Sequence, residues 1–241
     1  MSENYTLHYK RFHPDNDAHT QMMVRHLSEV LSPLIPPSEV PKALDIGCGF
    51  GYAMLALKAL GIRNVTGIDL SPGQVQEARR KGLQAEVIED TEAHLNQCNE
   101  KYTVILLMDV LEHIPVDKQI SVLKSINGSL EKGGRLILTV PNANSPLGAR
   151  RRYIDFTHFS AFTEHSLHYV LENAGFNCVN ILPTKLEKRP PLKIWNHSKR
   201  QALRRWIVRW CWLQVLRAEM ETGPEGPFYF EPNLTATAET K

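Results

Sequence analysis

Met22, Met23, His26, Leu27, Val30 and Leu31 recur at helical spacing, so the first element the chain predicts is an amphipathic helix over Asp17–Leu31. Pro33, Pro36, Pro37 and Pro41 then break the chain, and from Lys42 a regular alternation begins. Short apolar runs at Ala43–Ile46, Asn64–Leu70, Ala85–Glu89, Thr103–Asp109, Arg135–Val140 and Asn177–Leu182 read as strands, and Phe228–Thr237 as a last one. Helical patterns separate them. One runs from Tyr52 to Leu60; the next has Ser71 as cap, Pro72 at its first position, Gln74 closing a capping box and Gly82 as its stop. Another runs from Asp117 to Leu130 and ends at Gly133-Gly134, and Thr163 caps one that runs to Gly175. Strands that alternate with helices call for a parallel sheet covered on both faces, whereas a closed α/β barrel needs eight such units. The expected fold is therefore α/β: a doubly wound, mostly parallel, seven-stranded sheet.

A length of 241 residues suits one domain, 1–241, with an N-terminal helical cap over 1–37. The pattern departs from regularity over 185–227, a basic stretch rich in Trp and Arg before the last strand. A stretch that long usually carries its own structure or a function. Cys48, Cys98, Cys178 and Cys211 are scattered with no CxxC pair, which argues for a reducing compartment and against a disulfide scaffold or structural zinc. The first residues, MSENYTLHYKRFHPDND, contain no apolar core of a secretory signal, and no run reaches the length of a membrane span. The expectation is a cytoplasmic protein. A net charge of +2 excludes no class of partner until the charges are located.

The first strand–turn–helix reads Leu44-Asp45-Ile46-Gly47-Cys48-Gly49-Phe50-Gly51. Glycines there let the backbone turn tightly and approach a ligand at a helix N-terminus. A dinucleotide fingerprint would need a glycine where Tyr52 or Met54 stands, and a phosphate-binding loop would need a lysine followed by Ser or Thr. Asp45, two residues before the first glycine, would repel a pyrophosphate but suits a ligand carrying an ammonium group. The second strand ends Gly67-Ile68-Asp69-Leu70, with an acid where ribose hydroxyls are held; the third ends Glu89-Asp90-Thr91, where a carboxylate can accept from an adenine amino group; the fourth ends Met108-Asp109-Val110.

These segments, LDIGCGFG, GIDLSPGQVQEARRKG and ILLMDVLEHIP, resemble the glycine, ribose and fourth-strand motifs of the class I S-adenosylmethionine (SAM)-dependent methyltransferases, over about Ala43 to Gly175. The resemblance implies a Rossmann-like sheet and SAM as cofactor. It implies Gly47, Cys48, Gly49 and Gly51 against the methionine part, Asp45 near its ammonium, and Asp69 with Leu70 at the ribose. Asp90 and Thr91 would flank the adenine, and Asp109, at the end of the fourth strand, is a further cofactor-binding candidate.

Methyl transfer to a hydroxyl asks the protein to align the acceptor, exclude water and remove a proton. A histidine is the natural base near neutral pH. The loop after the fifth strand, GARRRYIDFTHFSAFTEHSL, leaves the same sheet edge and resembles a DxTHxxxFT segment of a branch associated with surface polysaccharide synthesis, with Asp155, Thr157, His158, Phe162 and Thr163 matching. His158 is the first candidate base, with Asp155 orienting it; the alternative is that His158 only closes the loop. His113 in Leu111-Glu112-His113 is the rival, and His19 and His26 on the N-terminal helix are surface residues unless that helix lids the site. Glu164, His165 and His168 lack the spacing of an HExxH zinc site, so no metal is expected. The fourth strand does not end in the Asn/Asp-Pro-Pro-aromatic turn of base amino methylation, and no cysteine has a Pro-Cys context, so hydroxyl acceptors gain by elimination.

Arg150, Arg151, Arg152 and Tyr153 lie in the acceptor loop, where the arginines would clamp a phosphate or carboxylate on the acceptor; a solvated charge run is the alternative. Over 198–220, Leu203, Trp206, Ile207, Trp210 and Leu213 share one helical face, with Arg205 and Arg209 opposite and Trp212, Val208 and Val215 widening the apolar surface. Such a helix suits peripheral contact with the inner face of a membrane, while an outer packing helix, a homodimer interface and a substrate lid are the alternatives. Aromatics on a helix rather than an open sheet speak against RNA, and no nucleic-acid partner is expected. The sequence thus points to O-methylation of a sugar hydroxyl on a glycan or lipid-linked saccharide. The alternatives are a quinone-precursor or other aromatic hydroxyl and, in another class, a non-catalytic SAM-binding protein or RNA-modification partner.

Overall fold

The computed structural model describes residues 16–184, 197–219 and 227–240, together with 6, 9–11, 13 and 14. Its elements follow the alternation read from the sequence: α1 Asp17–Leu31, β1 Lys42–Ile46, α2 Tyr52–Ala59, β2 Asn64–Asp69, α3 Pro72–Arg80, β3 Gln84–Val87, α4 Thr91–Gln97 and β4 Tyr102–Met108. A short 3-10 turn, Leu111–His113, leads to α5 Val116–Gly128, β5 Leu130–Pro141, α6 Gly148–Tyr153, α7 Glu164–Asn173, β6 Asn177–Ile181, α8 His197–Glu219 and β7 Asn233–Glu239. The sheet order is β3-β2-β1-β4-β5-β7-β6, with β7 antiparallel to both neighbours.

Strand alternation sorts the core into two layers. Val104, Leu106 and Ile137 face a cluster with Leu31 of α1, Met54 and Leu57 of α2 and Val75 of α3. Their neighbours Ile105, Leu107, Leu136 and Leu138 face the opposite cluster with Val122 and Leu123 of α5 and Leu167 of α7. Both faces are therefore covered, as a parallel sheet requires.

Several elements differ from expectation, each for a local reason. Ser71 stands at the N-cap of α3 with Pro72 after it, but the capping box does not form: its hydroxyl meets Thr6 Oγ1 at 3.0 Å, its amide donates to Asp69 Oδ1, and no side-chain cap bond is made. The helix α5 stops at Gly128, because Leu130 already pairs with Tyr102. Gly133, at φ 73°, then turns the chain before Arg135 resumes the ladder opposite Val104. The last strand begins at Asn233, since Phe228 and Phe230 pack beneath α8 with Leu213 and Leu216 instead of pairing. The capping box expected at Thr163 does form, with Ser166 as its reciprocal partner. Of the 185–227 insertion, 185–196 and 220–226 lie outside the described residues.

The seated side of α8 differs from the apolar stripe read from the sequence. Trp212 Nε1 donates to the Asn144 carbonyl at 3.0 Å, and Arg209 pairs with Glu231 at 2.6 Å. Ile207, Val208, Trp210 and Val215 are exposed. Among the described residues no helix is long and apolar enough to cross a membrane.

Candidate active site

The strand order reverses between β1 and β4, and the crevice outside their carboxyl ends holds a cavity of about 530 Å³. Its floor is the glycine turn. Gly47 (φ 70°) and Gly49 (φ 53°) both line it in a conformation that favours glycine, and a Cβ on Gly47 would stand 2.4 Å from Val110 Cγ2. Gly51 does not line the cavity; it opens α2 at φ 78° and packs so closely that a Cβ would meet Leu83 Cδ1 at 2.2 Å.

Asp45 is buried in the cavity wall and its Oδ2 has no partner. Burial, and after it the nearby Asp69, pushes its pKa up to about 8. An orphaned, buried carboxyl beside a glycine cradle suits a ligand that brings an ammonium group better than one that brings a phosphate. Asp69 accepts from the Gly49 amide at 2.9 Å and the Ser71 amide at 2.8 Å, which ties the end of β2 to the glycine turn. Burial raises its carboxyl and these amides oppose the rise. Cys48, Leu70 and Thr91 line the same cavity, but Asp90 does not: its side chain caps α4 by accepting from the Ala93 amide. Cys48 is held as a thiol, burial first and the two aspartates second pushing it up.

At the other end lie Asp109, Glu112, His113, Asp155 and His158. Asp109 stands at φ 54°, clamped where the Thr139 hydroxyl (3.0 Å) and Asn233 Nδ2 (2.7 Å) donate to its Oδ1. The rings of His113 and His158 meet edge to face at 4.5 Å. The Phe159 amide donates to the Glu112 carbonyl at 2.7 Å and fastens the acceptor loop to the turn after β4. Asp155 does not orient His158 through the expected link. It accepts from the Thr157 hydroxyl at 2.8 Å, and Thr157 Oγ1 sits 2.8 Å from His113 Nδ1. Since the hydroxyl proton goes to Asp155, the imidazole must donate, so His113 carries its lone pair on Nε2. Burial, with His158 next, lowers His113 to about 4 and keeps it neutral. The Asp155 carboxyl, although burial works to raise it, lies below its ordinary value because the Thr157 amide and hydroxyl donate to it. His158 Nδ1 lies 3.0 Å from the Arg151 carbonyl, which can only accept, so His158 also carries its lone pair on Nε2.

Of the arginine cluster only Arg151 lines the cavity; Arg150, Arg152 and Tyr153 do not, and Arg152 instead donates to the Phe159 carbonyl and covers the Tyr153 ring. His165 and His168 stay on the surface beside Glu164 and Glu172, and His26 is exposed. Reasoning from sequence passed over Tyr9, His13, Met23 and Leu27, which wall the cavity from the N-terminal side, and Asn233, which reaches it from the last strand. His13 stacks on Tyr9 at 4.2 Å, and its Nδ1 lies 3.2 Å from His19 Nε2. The apolar spacing of α1 is the one signal that could have placed Met23 and Leu27; nothing local marks Asn233.

Fold, glycine cradle and unpartnered acid together define a class I SAM-dependent methyltransferase. A methyltransferase-domain family model matches residues 18–181, and the chain belongs to that family. Among curated proteins, the ubiquinone biosynthesis O-methyltransferase of Aeromonas salmonicida is 33% identical over 108 residues, 43% of this chain and 44% of that protein. The protein of the same name from Haemophilus ducreyi is 33% identical over 110 residues, 42% of this chain and 45% of that protein. The match therefore spans less than half the length of these relatives. Among solved structures, a SAM-dependent methyltransferase from Archaeoglobus fulgidus superposes with a TM-score of 0.71 at 17% identity, covering 98% of this chain and all (100%) of that one. The magnesium protoporphyrin IX methyltransferase of Synechocystis, with S-adenosylhomocysteine bound, gives 0.59 at 17% identity, covering 99% and 95%. At that identity the likeness is one of fold.

Proposed function

We propose that the protein transfers a methyl group from SAM to the hydroxyl of a small aromatic acceptor of the quinone-precursor kind. One observation carries the reading: a single cavity has a buried, unpartnered acid at one end and two histidines with Nε2 lone pairs at the other. The relatives named for ubiquinone O-methylation favour an aromatic hydroxyl over the sugar hydroxyl that the acceptor-loop motif suggested.

When bound, SAM supplies a methyl group on a sulfonium, a leaving group that needs no proton. Asp45 would hold its ammonium, Gly47 and Gly49 would admit its methionine part, and the remaining lone pairs of Asp69 would take ribose hydroxyls. Thr91, Leu70 and Ile88 would flank its adenine. Tyr9, His13, Met23 and Leu27 line the N-terminal side of the cavity, where they would limit the access of water once SAM is bound. The acceptor oxygen then loses its proton at the His113–His158 end, where Thr157 and the Arg151 carbonyl fix both rings. The exposed Ile207, Val208, Trp210 and Val215 of α8 support contact with a lipid surface, from which a lipophilic acceptor would be drawn.

The test is methyl transfer from labelled SAM to a catechol-type acceptor and, in parallel, to a saccharide fraction. A methyl ether on the aromatic hydroxyl is the expected product. Label confined to saccharide would overturn the reading in favour of the sugar hydroxyl.

A further inference from the structure

The carboxylate of Glu112 is 1% exposed, lines the cavity, and its Oε2 has no hydrogen-bond partner. Leaving a buried acid unsatisfied is costly unless something in the site compensates it. One ligand atom each from Glu112, His113 and His158 lie within 4.8 Å of one another. Two features of the surroundings make this more than a chance cluster. Both histidines donate Nδ1–H outward, one to Thr157 and through it to Asp155, the other to the Arg151 carbonyl. That is the arrangement by which metal-ligating imidazoles are oriented, and it leaves Nε2 of each ring as the ligand atom. Asp109 and Asp155 add negative charge around Glu112.

We infer that Glu112, His113 and His158 bind a divalent cation of the zinc type and that the ion presents and acidifies the acceptor hydroxyl. The site stands on its own geometry; only the ion's role rests on the hydroxyl-acceptor reading. Two imidazoles and a carboxylate suit zinc and its transition-metal neighbours better than magnesium or calcium, which prefer oxygen alone. Three protein ligands leave a fourth position open, as catalytic zinc sites do. A tetrahedral ion at about 2.1 Å holds its ligands about 3.4 Å apart, so closing the set takes side-chain movement on the order of 1 Å. In the fourth position the acceptor O–H gives its proton to solvent. The oxygen lone pair then forms the O–CH3 bond while the C–S bond breaks toward sulfur, leaving the methyl ether and the neutral thioether. With both Nε2 atoms on the ion, neither histidine is itself the base.

The experiment titrates the full chain, stripped with chelator, with Co2+ followed by its visible d–d absorption and with Zn2+ followed by calorimetry. One equivalent should bind. Glu112→Gln, His113→Ala and His158→Ala should each weaken it on the order of a hundredfold, and Thr157→Val, which removes only the orienting hydroxyl, about tenfold. His165→Ala, on the surface, should leave it unchanged. SAM binding by calorimetry checks that each variant is folded. Absence of Co2+ binding by protein that binds SAM, or binding indifferent to all three ligand substitutions, overturns the site. If the metal binds but chelation leaves methyl transfer unchanged, the ion's role is overturned. If the metal binds and no hydroxyl is methylated, the acceptor reading fails and the site remains.

Discussion

If Asp45 holds the ammonium of SAM as proposed, its protonation should change on binding. Its carboxyl, pushed up to about 8 by burial and by Asp69, holds a proton at pH 7 in the ligand-free protein. An ammonium against it favours the ionised form, so binding at pH 7 should release roughly 0.9 proton and tighten about tenfold for each unit that the pH rises toward 8. Calorimetry in two buffers of different ionisation heat reads this directly. Asp45→Asn should abolish the release and weaken SAM; proton-neutral binding by the unaltered protein would remove Asp45 from the cofactor site. Asp45 was legible in the sequence because a strand end followed by glycine announces itself within three residues. Glu112 was not, since a carboxylate on a one-turn helix reads as surface, and the Phe159 amide that bonds its carbonyl lies far along the chain. Asp90 lies outside the cavity lining for a reason the sequence also carries. A strand-end acid just before a helix is also a good N-cap, and the cap prevailed.

At the scale of elements, the alternation of strand and helix was readable because each run is short and bounded by glycine or a cap. Boundaries failed where pairing outran local pattern: Leu130 joins β5 because Tyr102 is opposite it. The helix α8 was legible as a helix but its seated face was not. The stripe of Leu203, Trp206 and Trp210 is the stronger periodic signal, yet Trp212 and Arg209 find partners in Asn144 and Glu231 that no local pattern announces. The consequence is a division of labour along α8, with Leu213 and Leu216 anchoring it and Ile207 and Trp210 left outward. The protein should float with anionic vesicles, and Ile207→Glu with Trp210→Glu should cut that binding at least about tenfold while sparing methyl transfer in solution. Failure of the unaltered protein to float would dismiss the lipid surface.

For the whole molecule, the cavity concentrates buried acids. Asp45, Asp69, Asp109 and Glu112 all lie above their ordinary values, with burial the first cause in each case. A carboxyl raised on folding binds its proton more tightly in the native state, so its stabilisation is complete below the unfolded value and fades as pH climbs toward the folded one. His13 and His113, lowered to about 4, act in the opposite sense below their unfolded value near 6.5. The clean window is therefore pH 6.5 to 8, where the ligand-free melting temperature should fall with rising pH and saturating SAM should flatten the slope. A ligand-free melting temperature that climbs across this window would refute the assignment.

The place of β7 between β5 and β6 has a consequence for how the molecule is made. The strand that joins them follows β6 in the chain, so β6 leaves the ribosome before the strand it pairs with. The contacts that close this third of the sheet are non-local, and such contacts form slowly. Asn233, which donates to Asp109, arrives with them. The glycine turn and Asp45 belong to segments made early, around β1 and β2, whereas the Asp109 end of the cavity is complete only once β7 pairs. On the proposed reading, the cofactor end of the cavity is encoded ahead of the residue that completes its acceptor end.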